Sequence, residues 1–136
     1  MTRKEALAEL IAKVEAGTPY ETMGHTMMCQ RAFPKPDDFD GSRESYSNSA
    51  AQMAILAWRN DDLNAAKALH DAGLPGWDYI LTNAGEHGGE SPGPMAAVGE
   101  RDALERGDEP FKASTNILAR AWLLSILRAL HSMEAT

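Results

Sequence analysis

Trp58, Arg59 and Asn60 stand in a row, and together they have the chemistry of a stacking site. An indole offers a flat π face to a nucleobase, and a guanidinium takes a phosphate through paired hydrogen bonds. The same three residues also make an ordinary helix end. Trp77 and Trp122 fall in a strand pattern and an apolar helix pattern, and read as core residues. His25 and Cys29 are four apart, a spacing that puts two metal ligands on one helical face, but no second close pair completes a tetrahedral set. Cys29 therefore reads as a small buried apolar residue and His25 as a surface or loop residue. The other imidazoles open to a Cys–His nucleophile pair are His70, His87 and His131, each read as structural or solvated. Asp37-Asp38-Phe39-Asp40-Gly41 has carboxylates spaced as in a calcium loop. Pro36 stands in the place of the first ligand and Ser47 in that of the closing glutamate, so an acidic solvated turn is expected. Gly85-Glu86-His87-Gly88-Gly89 lacks the Gly-Lys-Ser/Thr of a phosphate loop, and Glu86 and Glu90 repel an anion. It is a lid over a ligand or a plain hairpin connection. No catalytic residue, metal site or cofactor is assigned, and the chain reads as a non-enzyme.

The elements that must position these residues follow from capping and periodicity. Thr2 and Glu5 form a capping box, Leu7, Leu10, Ile11 and Val14 make an apolar stripe, and Gly17 with Pro19 ends a first helix. Residues 18–49 lose periodicity and read as a long irregular segment. Within it residues 23–33 are too apolar to stay solvated and form a short strand or a helical turn. Ala50, Met53, Ala54, Ala57 and Trp58 recur at helical spacing over residues 49–60. Asp61 or Asp62 caps a continuation through Leu63, Ala66, Lys67 and His70 to the stop at Gly73 and Pro75. This is a pair of helices kinked at residues 60–62 or one long bent helix. Residues 77–82 are rich in strand formers, and residues 95–98 return antiparallel across a Gly/Pro-rich loop at about 83–94. Residues 99–110 are strongly charged and form a solvated helical turn or a loop, and residues 111–113 add a short strand. Ser114 or Thr115 caps a last helix that is apolar almost all round. Such a helix packs on two sides, against the strands and against the earlier helices.

The 136 residues, 43% hydrophobic and 24% charged, have the composition and size of one globular domain, residues 1–136. The fold class expected is α+β, with helices packed on both sides of a small antiparallel sheet. Residues 117–130 are interrupted by Arg120, Ser125 and Arg128, short of the roughly 18 clean apolar residues of a membrane span. With no export signal and a lone cysteine, the expected compartment is the cytoplasm. Twenty acids against 13 bases leave a net charge of −7, which argues against binding a nucleic-acid backbone over an extended face.

The run from Asp62 through Leu74-Pro75-Gly76-Trp77-Asp78-Tyr79, and the later Ala113-Ser114-Thr115-Asn116-Ile117-Leu118-Ala119-Arg120-Ala121-Trp122-Leu123, resemble small phage and prophage proteins of the phage ABA sandwich domain type. In these a helix, a Leu-Pro-Gly-Trp turn, a short antiparallel sheet and an alanine-leucine-rich closing helix recur. The resemblance covers residues 61–130, and the Leu-Ile-x-x-Val-Glu-Ala-Gly run of the first helix is loosely similar. It implies a source, a phage or integrated prophage, more than an activity; without catalytic motifs, the role expected of such a protein is counter-defence by non-catalytic binding in the host cytoplasm. Two modes are expected from it. The leading one is a sponge that sequesters a nucleotide-derived immune signal, with Trp58, Arg59, Arg43, Tyr46, Lys67 and Arg31 as ligand-binding residues. The other is an acidic inhibitor that covers a host defence protein. A phage accessory or structural protein is a further alternative. A homo-oligomer is expected because the Met-rich segment and the last helix carry much apolar surface.

Overall fold

The computed structural model describes residues 2–21, 23–34, 41–42, 49–82, 94–115 and 117–134. Helix α1 (Arg3–Glu15) begins where expected, with the Thr2 hydroxyl accepting from the Glu5 amide at 3.1 Å and the Glu5 carboxylate accepting from the Thr2 amide at 3.3 Å. It ends at Gly17, whose φ of +78° is the left-handed conformation that favours glycine. Residues 23–33, open between strand and turn by pattern, form helix α2 (Met23–Ala32). It buries His25, Cys29 and Ala32, with Phe33 just beyond, and those positions share one helical face. His25 is thus corrected from a surface residue to a buried one. Its Nδ1 accepts from the Glu21 amide at 3.1 Å, and its ring lies on Trp58.

Helices α3 (Ala50–Arg59) and α4 (Leu63–Gly73) are two separate helices. Ser49 caps the first by accepting from the Gln52 amide, and Asp62 the second by accepting from the Ala65 amide. Between them Asp61 takes φ +56°, a conformation that aspartate tolerates better than most residues. Strands β1 (Trp77–Thr82), β2 (Met95–Glu100) and β3 (Phe111–Ser114) form an antiparallel sheet in the order β1-β2-β3, with Tyr79 opposite Val98 and Val98 opposite Phe111. One turn of helix, α5 (Arg101–Glu105), follows β2 directly.

Helix α6 (Leu118–Met133) is the centre of the core. It packs on β2 and β3 through one side and on α1, α3 and α4 through the other, as its all-round apolar surface predicts. The expected cap is corrected: Ser114 closes β3 and donates to the Pro94 carbonyl. Thr115 holds the Ile117 amide, and Ile117 occupies the N-cap. The architecture is the expected α+β with one shared core, and helices lie on both faces of the sheet, though unequally. The long helices all lie on the inner side of the sheet, with α6 between it and α1, α3 and α4. Only α5 leans on the outer face. Because α6 is enclosed within its own chain, Met133 at its end is its one large apolar side chain that stands exposed.

Among the described residues no helix is long and apolar enough to cross a membrane.

Candidate functional site

Directly opposed residues of an antiparallel sheet share a face, so the register sorts the strands into two sets. Trp77, Tyr79, Leu81, Ala96, Val98, Phe111 and Ala113 point inward. Tyr79 lies 4.6 Å, centroid to centroid, from Trp122 of α6, and 5.0 Å from His70 of α4. The His70 Nε2 sits 3.1 Å from the Trp77 carbonyl. A carbonyl only accepts, so Nε2 carries the proton and ties the start of β1 to α4.

The outward set is different in kind. Across the sheet, Ile80 faces Ala97, which faces Lys112, and Asp78 faces Gly99. Small residues on β2 make a low floor, while Ile80 on one side and Leu104 and Pro110 on the other stand as walls. The result is a groove of about 380 Å³, within the size range of ligand and side-chain pockets. Gly99 is required at its end: a Cβ there would meet the Leu104 side chain at 2.7 Å. The glycine therefore lets α5 press its single leucine onto the sheet. On the far side of Leu104 a second groove, about 320 Å³, runs against the end of α6; Trp77, Phe111 and Met133 line it together with Glu100, Glu109 and Asp108, the last paired with Arg106 at 3.2 Å. An apolar slot thus lies on one side of Leu104 and, on the other, a slot that adds the carboxylates of Glu100 and Glu109 to its apolar lining.

At the rim, Arg101 donates to both oxygens of Asp78, at 2.9 and 3.2 Å. These hydrogen bonds, with the charge of the guanidinium, hold the Asp78 carboxyl below the usual carboxylate range. Both groups are thereby engaged, so the rim of the apolar slot is close to neutral.

The residues expected to bind a nucleotide are placed otherwise. Trp58 is 0% exposed, its Nε1 donates to the Thr18 carbonyl at 2.9 Å, and Tyr20 and His25 pack on its ring. It offers no open face to a base, which corrects the stacking expectation. Arg59 lies over the Tyr20 ring at 5.8 Å and donates to the Asn60 side chain. Lys67 pairs with Asp71 at 2.8 Å on the exposed side of α4. Arg31 is exposed near the end of α2 and borders a shallow hollow with Gly24, Met27 and Met28. Arg43 and Tyr46 lie outside the described residues, as do Asp37 to Asp40 and the Gly85 to Gly89 loop. Trp58 and Arg59 come together against Tyr20, while Lys67 belongs to the side of α4 near Tyr79.

Sequence reasoning missed Ile80, Ala97, Gly99, Leu104 and Pro110. The available signals were a glycine at the end of a strand pattern and a lone leucine in a charged run. Among the described residues no group of three or more His, Cys, Asp or Glu side chains could hold a metal. Burial pushes the Cys29 thiol up to about 12, so it is not a nucleophile in this state. Compared with known proteins, the chain matches no family model, no curated protein and no solved structure.

Proposed function

We propose that this is a non-catalytic binding protein that docks a basic protein partner across Leu104, from the outer face of its sheet to the groove between α5 and the end of α6. The observation that carries this reading is the pair of slots about Leu104, one apolar and one in which Glu100 and Glu109 add two carboxylates to an otherwise largely apolar lining. A partner that sets an apolar side chain on Ala97 and Gly99 and an adjacent arginine or lysine beside Glu100 and Glu109 satisfies both. The net charge of −7 adds long-range attraction for such a surface. In the phage setting that the resemblance implies, the partner is a host defence protein and the binding is inhibitory.

A signal sponge needs an exposed ring beside free cations. Among its six expected residues, Trp58 is buried, Lys67 is paired with Asp71, and Arg59 is engaged by Tyr20 and Asn60. The protein-binding reading has the stronger support.

Two fluorescent peptide probes test it, each with one central phenylalanine, flanked by arginines in one and by glutamates in the other. The arginine probe is expected to bind, to weaken steeply with salt, and to lose about tenfold or more in affinity in Ala97→Lys, which raises a cation from the groove floor. Equal binding of both probes would overturn the reading. So would a rise in melting temperature with cyclic nucleotides or ADP-ribose while the peptides stay unbound; at a thousandfold excess over Kd a sponge would gain about 4 kcal/mol.

A further inference from the structure

The sheet ends in two edges of unlike character. β3 is four residues long, displays Lys112, and has the Arg128 guanidinium donating to the Lys112 carbonyl. A short edge carrying a lysine and covered by a side chain is a protected edge. β1 is six residues long, Trp77-Asp78-Tyr79-Ile80-Leu81-Thr82, with no lysine and no proline; α4 and the turn after it engage the Trp77 carbonyl and amide, through His70 and Leu74, but along Asp78 to Leu81 no described strand lies on its other side. Its midpoint is open on both faces: Tyr79 is 39% exposed and Ile80 65%, while their β2 neighbours Val98 and Ala97 are 1% and 6% exposed.

We propose that β1 pairs antiparallel with β1 of a second copy about a twofold axis at Ile80, joining two three-stranded sheets into one. Opposed residues must share a face, which leaves two central registers. Centred on Tyr79, the pairing would set Asp78 beside Ile80. Centred on Ile80, it sets Ile80 against Ile80, Tyr79 against Leu81 and Asp78 against Thr82, so apolar meets apolar and no like charges are opposed.

Charge also selects the occupant. The one charge on the strand, Asp78, is neutralised within its own chain by Arg101, and the nearby Lys67 is neutralised by Asp71. A basic peptide finds no free carboxylate along this edge, whereas a second copy of the same neutral strand matches it. The excess acid of the chain includes Glu100 and Glu109, which line the slot beyond Leu104, where Asp108 is paired with Arg106. A twofold axis perpendicular to the sheet leaves both grooves on one side of the joined sheet. The pairing stands on the strand edge and does not depend on what fills the groove.

Sedimentation equilibrium of the full chain from micromolar to submillimolar concentration tests it. The mass should rise toward twice 14.8 kDa, and the rise should strengthen with salt, which screens the net charge. Ile80→Lys places two ammonium groups face to face and should lower the association constant about tenfold or more. An unchanged melting temperature would confirm that this variant is folded. Oxidation of Ile80→Cys should give a covalent dimer, since the register opposes the two thiols, while Asp78→Cys should not. Cys29 is buried and stays out of the reaction. A wild-type mass that stays monomeric throughout, an Ile80→Lys protein that associates as strongly as wild type, or equal cross-linking of the two cysteine variants would each overturn the proposal.

Discussion

Ten of the sixteen residues of α6 are buried, whereas none of the six residues of β1 is. Both elements are rich in apolar and aromatic side chains, so hydrophobicity alone does not separate them. Their surroundings do: α6 is enclosed by β2 and β3 on one side and by α1, α3 and α4 on the other, while β1 stands at the edge of the sheet, with Ile80 facing outward. In α6 the apolar residues hold the fold together. In β1 they are half-exposed or exposed, Ile80 to 65%, beside a groove whose floor residue Ala97 is 6% exposed, and the proposed docking rests on that surface.

The sharpest way to break that contrast is to truncate one side chain in each region. Leu124→Ala should cost about 2–5 kcal/mol of unfolding free energy, because Leu124 is fully buried in the middle of α6. Ile80→Thr should cost within about 0.5 kcal/mol, as surface substitutions do. Urea denaturation of both variants checks this, and equal losses would make β1 part of the core. Gly99→Ala sharpens the boundary between fold and site. It forces Leu104 away from the sheet at a cost of about 1–3 kcal/mol, as overpacking does, and it should also weaken the arginine peptide. Thermal unfolding and anisotropy read the two effects separately. Asp62→Ala removes the α4 cap and should cost about 1 kcal/mol while leaving peptide affinity unchanged, because α4 belongs to the scaffold.

The smallest effect is a titration. The Arg101 guanidinium lowers the Asp78 pKa, so the stabilisation from this pair is present above the ordinary carboxylate range and is lost as pH falls through the lowered value. Carboxyl NMR should find Asp78 titrating below the ordinary aspartate range, and Arg101→Ala should return it there. Both groups are exposed, so unfolding free energy should scarcely move.

Much of the scaffold was legible because its signals are local. Thr2 with Glu5, Ser49 and Asp62 mark helix starts within one turn of the residues they cap, and residues 77–82 carry the strand pattern unaided. Helix α2 was hidden because one of its buried positions is His25, a polar residue that the apolar periodicity does not count. The unequal cover of the two sheet faces is not legible, because the strands' residue types do not say how many helices lie on each. The site was the least legible part. Trp58 beside Arg59 looks like a stacking pair until the fold brings the Thr18 carbonyl, 40 residues away in the chain, to its N–H. The groove depends on Ile80, Ala97 and Leu104 meeting across a strand register and a helical turn, which no spacing in the sequence records.

The most direct test of the central claim, that the outer sheet face binds while the helical layer supports it, is an amide NMR map of the arginine-flanked peptide on the labelled protein. The account predicts shifts concentrated at Ile80, Ala97, Gly99 and Leu104 and near silence along α3 and α4. Shifts centred on Trp58, Arg59 and Lys67, with the outer strand rows unmoved, would contradict it.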